Sequence, residues 1–241
     1  MSTFLQYLAR IKFPERKILI LLLLIGCSIW GFAAIADEVM EGESRGFDNW
    51  LLSVLRQPSD PSIPIGQPWV LNMARDISAL GGTTVITVMT VIVLGFLWMQ
   101  RKRHIMALVL VAILGGALLS TILKQSFGRE RPSVVPHLAQ VTSLSFPSGH
   151  SMLSAVTYIT LGVLLGRITT SRPIKIYWLS VAVFLSFVIG LSRIFLGVHY
   201  PTDVLAGWCA GVAWAALCAT VVRWLQYRGA IEPPSPAQES E

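Results

Sequence analysis

Apolar positions along the chain gather into six long runs, separated by short stretches that hold most of the charged residues. The runs are Lys17–Ala36, Ile77–Met99, His104–Leu123, Ser151–Leu165, Ile176–Leu191 and Val204–Leu225. A helix needs ~20 mostly apolar residues to cross the hydrocarbon core of a bilayer, and these runs fit that requirement. The fourth and fifth are short as bounded, so their helices are expected to extend into the flanking polar residues. Between the first two runs lies a polar, proline-rich stretch in which the apolar residues of Phe47–Leu55 recur at near-helical spacing. That segment is open to two readings, a helix lying flat in the outer membrane interface or an ordinary amphipathic loop helix. The pattern predicts an all-α, polytopic membrane protein of six transmembrane helices, one domain over residues 1–231. Residues 232–241 are rich in Pro, Ser and Glu and are expected to be a disordered tail.

Composition sharpens this picture. Only 13% of residues are charged and 54% are hydrophobic, whereas a soluble domain carries charge on roughly a quarter. The net charge of +6 does not point to nucleic acid, because the basic residues are dispersed between apolar runs. Their sidedness is informative instead. With the N-terminus inside, twelve Lys and Arg fall on the cytoplasmic side (Arg10, Lys12, Arg16, Lys17, Arg101, Lys102, Arg103, Arg167, Arg172, Lys175, Arg223, Arg228). Seven fall on the other side: Arg45, Arg56, Arg75, Lys124, Arg129, Arg131 and Arg193. The positive-inside rule therefore puts both termini in the cytoplasm. Ala34-Ile35-Ala36 resembles a signal-peptide cleavage site, but the apolar run before it exceeds the usual ~7–15 residues, which favours a retained anchor. The three cysteines, Cys27, Cys209 and Cys218, lie within apolar runs without metal spacing and read as small buried hydrophobes.

Three polar clusters stand where apolar runs end, all on the far side. They are Lys124-Gln-Ser-Phe-Gly-Arg-Glu-Arg131-Pro132, then Phe146-Pro147-Ser148-Gly149-His150, then Ser192-Arg193 through His199 to Asp203. Lys124, Arg131 and Arg193 bring three cations to one membrane face, which suits an anion with several oxygens. Ser148 and Gly149 open a helix, where free backbone N–H groups bind phosphate. His199 and Asp203 are four apart, so the carboxylate can hold one ring nitrogen and leave the other as a nucleophile or base. His150 offers a second imidazole for proton transfer. No His/Asp/Glu cluster has metal-ligand spacing, so no metal and no cofactor is expected. Alone, Arg129 and Arg75 read as interfacial cations, His137 and His104 as solvated, and Glu130 as paired with a neighbouring arginine.

The pattern K-x6-R-P, P-S-G-H, S-R-x5-H-x3-D resembles the three-part signature of the type 2 phosphatidic acid phosphatase superfamily, which shares a helical core with vanadium haloperoxidases. The signature covers residues 124–203. The resemblance implies that His199 attacks phosphorus to form a phosphohistidine, that Asp203 orients it, and that His150 protonates the leaving lipid oxygen. It also implies that Lys124, Arg131, Ser148, Gly149 and Arg193 hold the phosphoryl oxygens. Ser192 has no clear role beyond ending a helix.

The expected function is a lipid phosphate or diphosphate phosphatase of a bacterial cytoplasmic membrane with its site at the outer face. Its expected partners are a phosphorylated lipid and the bilayer. Undecaprenyl diphosphate is the first substrate expected, followed by phosphatidylglycerol phosphate and phosphatidic acid. A soluble haloperoxidase is at odds with the membrane spans. A transporter for an anion or lipid would distribute its polar groups across the membrane, whereas here they collect at one face. The residues leave oligomeric state open.

Overall fold

The computed structural model describes residues 13–228; the tail at 232–241 lies outside them. Helix α1, Phe13–Glu41, has 29 residues, long enough at 1.5 Å per residue to cross a bilayer. It runs unbroken through Ala34-Ile35-Ala36. Helix α2 follows at Arg45–Val54, where near-helical spacing was read. A short antiparallel pair comes next, β1 (Arg56–Gln57) and β2 (Asp60–Pro64). The Asp60 side chain accepts the Ser62 N–H at 2.8 Å, which closes the turn locally.

The second apolar run is the main departure from the hydropathy pattern. Instead of one helix it forms α3, Pro68–Leu80, and α4, Thr83–Met99, bent by 46° at Gly81-Gly82. Two successive glycines weaken a helix, and the pair interrupts the backbone ladder without interrupting the hydropathy. The remaining long helices are α5 (Arg103–Phe127), α6 (Gly149–Gly166), α7 (Arg172–Phe195) and α8 (Pro201–Tyr227). Among the described residues five helices pass as membrane spans by length and apolarity, and the broken pair α3–α4 brings the number to six. Pro173 stands in the first turn of α7 and Pro201 at the start of α8, where the missing N–H costs nothing.

Helix α6 is the most enclosed, packed between α5, α7 and α8, while α1 lies along α8. Large side chains on the outer faces, such as Trp30, Val91, Ile92 and Phe184, are exposed. In water they would form an aggregating surface, and in a bilayer they meet acyl chains. Cys218 is buried as expected, but Cys27 lies on the outward face of α1 and is exposed.

Apolar clusters brace the end of the bundle that carries the polar motifs. Phe32, Phe127 and Phe146 pack with centroids 4.9–5.9 Å apart, tying α1 and α5 to the approach to α6. Leu52, Val135, Ile194 and Val204 join α2, the 128–148 loop, α7 and α8. Ala74, Leu196 and Val198 pack α3 against the link between α7 and α8. These contacts gather the 128–148 loop, the link between α7 and α8, and α2 at one end of the helices.

Candidate active site

His199 lies in the 196–200 link, in which Gly197 takes φ +70°. That left-handed backbone suits glycine, and a Cβ there would also press on Val135 at 2.8 Å. The link therefore makes a tight reversal, and His199 ends up 1% exposed. Its Nδ1 is 3.3 Å from an Asp203 carboxylate oxygen. A carboxylate can only accept, so Nδ1 carries the proton and Nε2 keeps its lone pair. Arg131 Nη1 sits 3.3 Å from Nε2 and donates towards that lone pair. Burial, foremost, pushes the His199 pKa down to about 3, against the upward pull of Asp203, and Arg131 and Lys124 lower it further. The ring is neutral at physiological pH.

Asp203 is the third residue of α8 and is fully buried. Its carboxylate accepts from the Tyr200 backbone N–H at 2.9 Å, from Ser145 Oγ at 2.5 Å and from Arg129 Nη1 at 2.7 Å. Charge-assisted bonds of this kind are strong enough to fix the carboxylate's orientation.

The other two motifs are clipped onto this pair. Arg131 donates to the carbonyls of Ser143 and Val198 at 2.6 and 2.5 Å. Lys124, in the last turn of α5, donates to the carbonyls of Leu144 and Ser145 at 2.5 and 3.3 Å. Ser148 caps α6, its hydroxyl oxygen accepting from Ser151 N–H at 3.4 Å and Ser151 Oγ at 2.9 Å. Its own N–H donates to the Asp203 carbonyl at 2.9 Å, joining the second motif to the third. Gly149 and His150 occupy the first turn of α6, and a Cβ added at Gly149 would lie 3.5 Å from Lys124 Cε. His150 lies in the field of Arg193, His199, Arg131 and Lys124. Arg193 is buried at the end of α7 and donates from Nη1 to Ser78 Oγ of α3 at 2.7 Å, while its Nε has no protein partner. Ser192 Oγ bonds the Ile189 carbonyl within its own helix. All eight residues singled out from the sequence thus meet at one end of the bundle.

Several neighbours were not anticipated. Arg129 is not an interfacial cation: its guanidinium bridges Asp203 and Asp48 at 2.7 and 2.8 Å and lies 4.1 Å over the Tyr200 ring. Asp48, from α2, is fully buried. Glu130 is exposed, and the partners of Arg129 are these two aspartates instead. Ser145 and Ser78 are buried hydroxyls that hold Asp203 and Arg193. His137 donates to the Pro132 carbonyl at 2.7 Å, and Arg75 to the Leu138 carbonyl at 3.2 Å, so both tack down the 128–148 loop. Among these, Arg129 lies inside the first motif, where the sequence marks it only as a cation near the end of an apolar run.

A buried imidazole, a second histidine, three cations and a capped helix start are groups whose chemistry suits a tetrahedral oxyanion. Among the described residues no three His, Cys, Asp or Glu side chains come together as a metal-binding group.

Comparison with known proteins gives the arrangement its relatives. The family model described as the PAP2 superfamily matches residues 105–227, about half of the chain and all three motifs. The chain belongs to the PAP2 superfamily. Phosphatidylglycerophosphatase B of Bacillus subtilis is 33% identical over 156 residues, covering 64% of this chain and 76% of that protein. An undecaprenyl-diphosphatase of Sulfolobus acidocaldarius is 36% identical over 70 residues, 29% of this chain and 30% of that one. The crystal structure of a transmembrane PAP2-type phosphatidylglycerolphosphate phosphatase from Bacillus subtilis superposes with a TM-score of 0.73 at 26% identity. It covers 83% of this chain and 96% of that one. As a PAP2 protein the chain is a multi-pass membrane phosphatase.

Proposed function

We propose that this PAP2 phosphatase hydrolyses a lipid phosphate through a phosphohistidine at His199, without a metal ion, at the outer face of a bacterial cytoplasmic membrane. The observation that carries the reading is the His199 ring, neutral, with Nδ1–H held by Asp203 and the Nε2 lone pair turned to Arg131. In the first step Nε2 attacks phosphorus, the N–P bond forms as the bond to the lipid oxygen breaks, and His150 passes its proton to that oxygen. The negative phosphate itself favours the protonated form of His150 while bound. In the second step water attacks phosphorus, His150 takes the proton from water, the N–P bond breaks and inorganic phosphate leaves. Asp203 stabilises the charge that the His199 ring gains on phosphorylation. Lys124, Arg131 and Arg193, with the Ser148 hydroxyl and the Gly149 N–H, hold the nonbridging oxygens as their charge builds.

The outer-face assignment rests on the excess of Lys and Arg at the opposite end of the bundle. For the lipid, phosphatidylglycerophosphatase B of Bacillus subtilis, 33% identical, aligns over 76% of its own length. That supports phosphatidylglycerol phosphate as the substrate. Undecaprenyl diphosphate, the first expectation from sequence, takes second place, supported by a short alignment at 36% identity and by a putative undecaprenyl-diphosphatase of Escherichia coli, 27% identical over 154 residues.

The deciding experiment measures phosphate release in EDTA from phosphatidylglycerol phosphate, undecaprenyl diphosphate and phosphatidic acid. Wild type should turn over at least one, with phosphatidylglycerol phosphate fastest. His199→Ala should lose several orders of magnitude, each tenfold step being about 1.4 kcal/mol of barrier. Turnover that survives His199→Ala would sink the nucleophile, and strong inhibition by EDTA would overturn the metal-free chemistry.

A further inference from the structure

Outside the residues that face the phosphate, the densest polar network at this end of the bundle runs from α2 to the nucleophile. Asp48 stands on α2, whose outer side exposes Phe47, Trp50 and Val54. The Asp48 side chain itself is wholly buried. One carboxylate oxygen accepts the Thr202 backbone N–H at 3.1 Å, satisfying a free donor in the first turn of α8. The other accepts from Thr202 Oγ at 2.7 Å and from Arg129 Nη2 at 2.8 Å. Arg129 uses its second nitrogen on Asp203 and on Thr202 Oγ, at 2.7 and 2.8 Å. One guanidinium therefore spans two buried carboxylates, and the second of them orients the His199 ring.

We infer that Asp48 and Arg129 are positioning residues for the phosphoryl transfer: the Asp48–Arg129 bridge sets the Asp203 carboxylate and, through it, the direction of His199 Nε2. The inference rests on the phosphohistidine reading above. Neither residue reaches the phosphate, since Arg129 is committed to two carboxylates, Thr202 and the face of Tyr200. A buried carboxylate is free to rotate about its last torsion unless its oxygens are pinned. Asp203 has one oxygen pinned by Ser145 and Tyr200 N–H, and Arg129 holds the other. Arginine is required because two carboxylates are met by two separate nitrogens of one rigid plane, which an ammonium does not offer. The bridge also makes the amphipathic α2 part of the site, although it precedes the first motif by many residues.

The test uses the full-length, detergent-purified protein and compares wild type with Asp48→Asn and Arg129→Lys. For each, kcat and KM are measured on the lipid that wild type consumes. Active sites are counted from trapped phosphoenzyme, and orthovanadate serves as a competitive probe of the anion pocket. Asp48→Asn keeps an oxygen for the Thr202 N–H but repels Arg129. It should lower kcat per active site about 10- to 100-fold, the cost of a small misplacement of a reacting group. KM and the vanadate inhibition constant should stay within threefold of wild type. Arg129→Lys should show the same split. Wild-type kcat per active site in either folded variant would overturn the inference, even if thermal stability falls. So would failure of both to fold, which would assign the bridge to structure alone. A wild type that releases no phosphate from any of the three lipids would overturn the phosphatase reading itself, a result distinct from active wild type with equally active variants.

Discussion

His199 carries opposite demands from its surroundings, and the balance has a consequence for stability. In the unfolded chain the imidazole binds a proton near pH 6.5, whereas the folded site resists it down to about 3 because burial outweighs Asp203. The unfolded state thus holds more protons between these values, and stability falls as pH drops from about 6.5 towards 3. His199→Gln removes this titration, so its melting temperature should fall less than that of wild type between pH 7 and 4.5. Equal slopes would show that the ring is not buried in neutral form. The His199–Asp203 pair was legible because an i, i+4 spacing at a helix start is a local feature. The Asp48–Arg129 bridge was not, since its two residues are 81 apart in sequence and an aspartate in an amphipathic helix reads as a solvated face.

At the scale of elements, hydropathy located the apolar runs well and their interruptions poorly. The Gly81-Gly82 break lies inside a continuous apolar run, yet it turns the end of α3 onto the site. Ser78 reaches Arg193 there, and the main chain at Gly81 passes close to His150. Helix packing was also invisible. Gly207 and Gly211, one turn apart on α8, face α6 so closely that added Cβ atoms would lie 2.7 Å from the Ser148 carbonyl oxygen and 2.6 Å from that of Met152. Small residues four apart let membrane helices approach, and here they bring the helix that carries Asp203 to the start of α6. Gly207→Leu should push the two helices apart, destabilise by roughly 1–3 kcal/mol and lower kcat/KM more than His137→Ala does. Thermal unfolding and steady-state rates check both parts. Unchanged values in Gly207→Leu would mean that the close approach is not needed.

For the whole molecule, the sidedness of the bundle decides which solution the phosphate comes from. Ser62, exposed on the β1–β2 hairpin, lies at the end that carries the site, and Thr170, between α6 and α7, at the opposite end. In a background lacking Cys27, Cys209 and Cys218, an impermeant maleimide should label Ser62→Cys on intact cells. Thr170→Cys should react only after permeabilisation. The reverse pattern would place the site in the cytoplasm.

What the sequence by itself determined follows from properties that act locally or by composition. Apolar runs define spans because hydrocarbon rejects backbone and side-chain polarity wherever it is met. Proline and serine mark helix starts, and the three motifs name the polar groups that gather at one end of the bundle. The tertiary structure alone decided what depends on long-range packing: where the second run breaks, which glycines let α8 close on α6, and how buried charges far apart in the chain find each other. Arg129 illustrates the difference. Its residue type announces a cation, but only the packing that sets it against buried Asp48, Thr202 and the Tyr200 ring turns that cation into a clamp on Asp203.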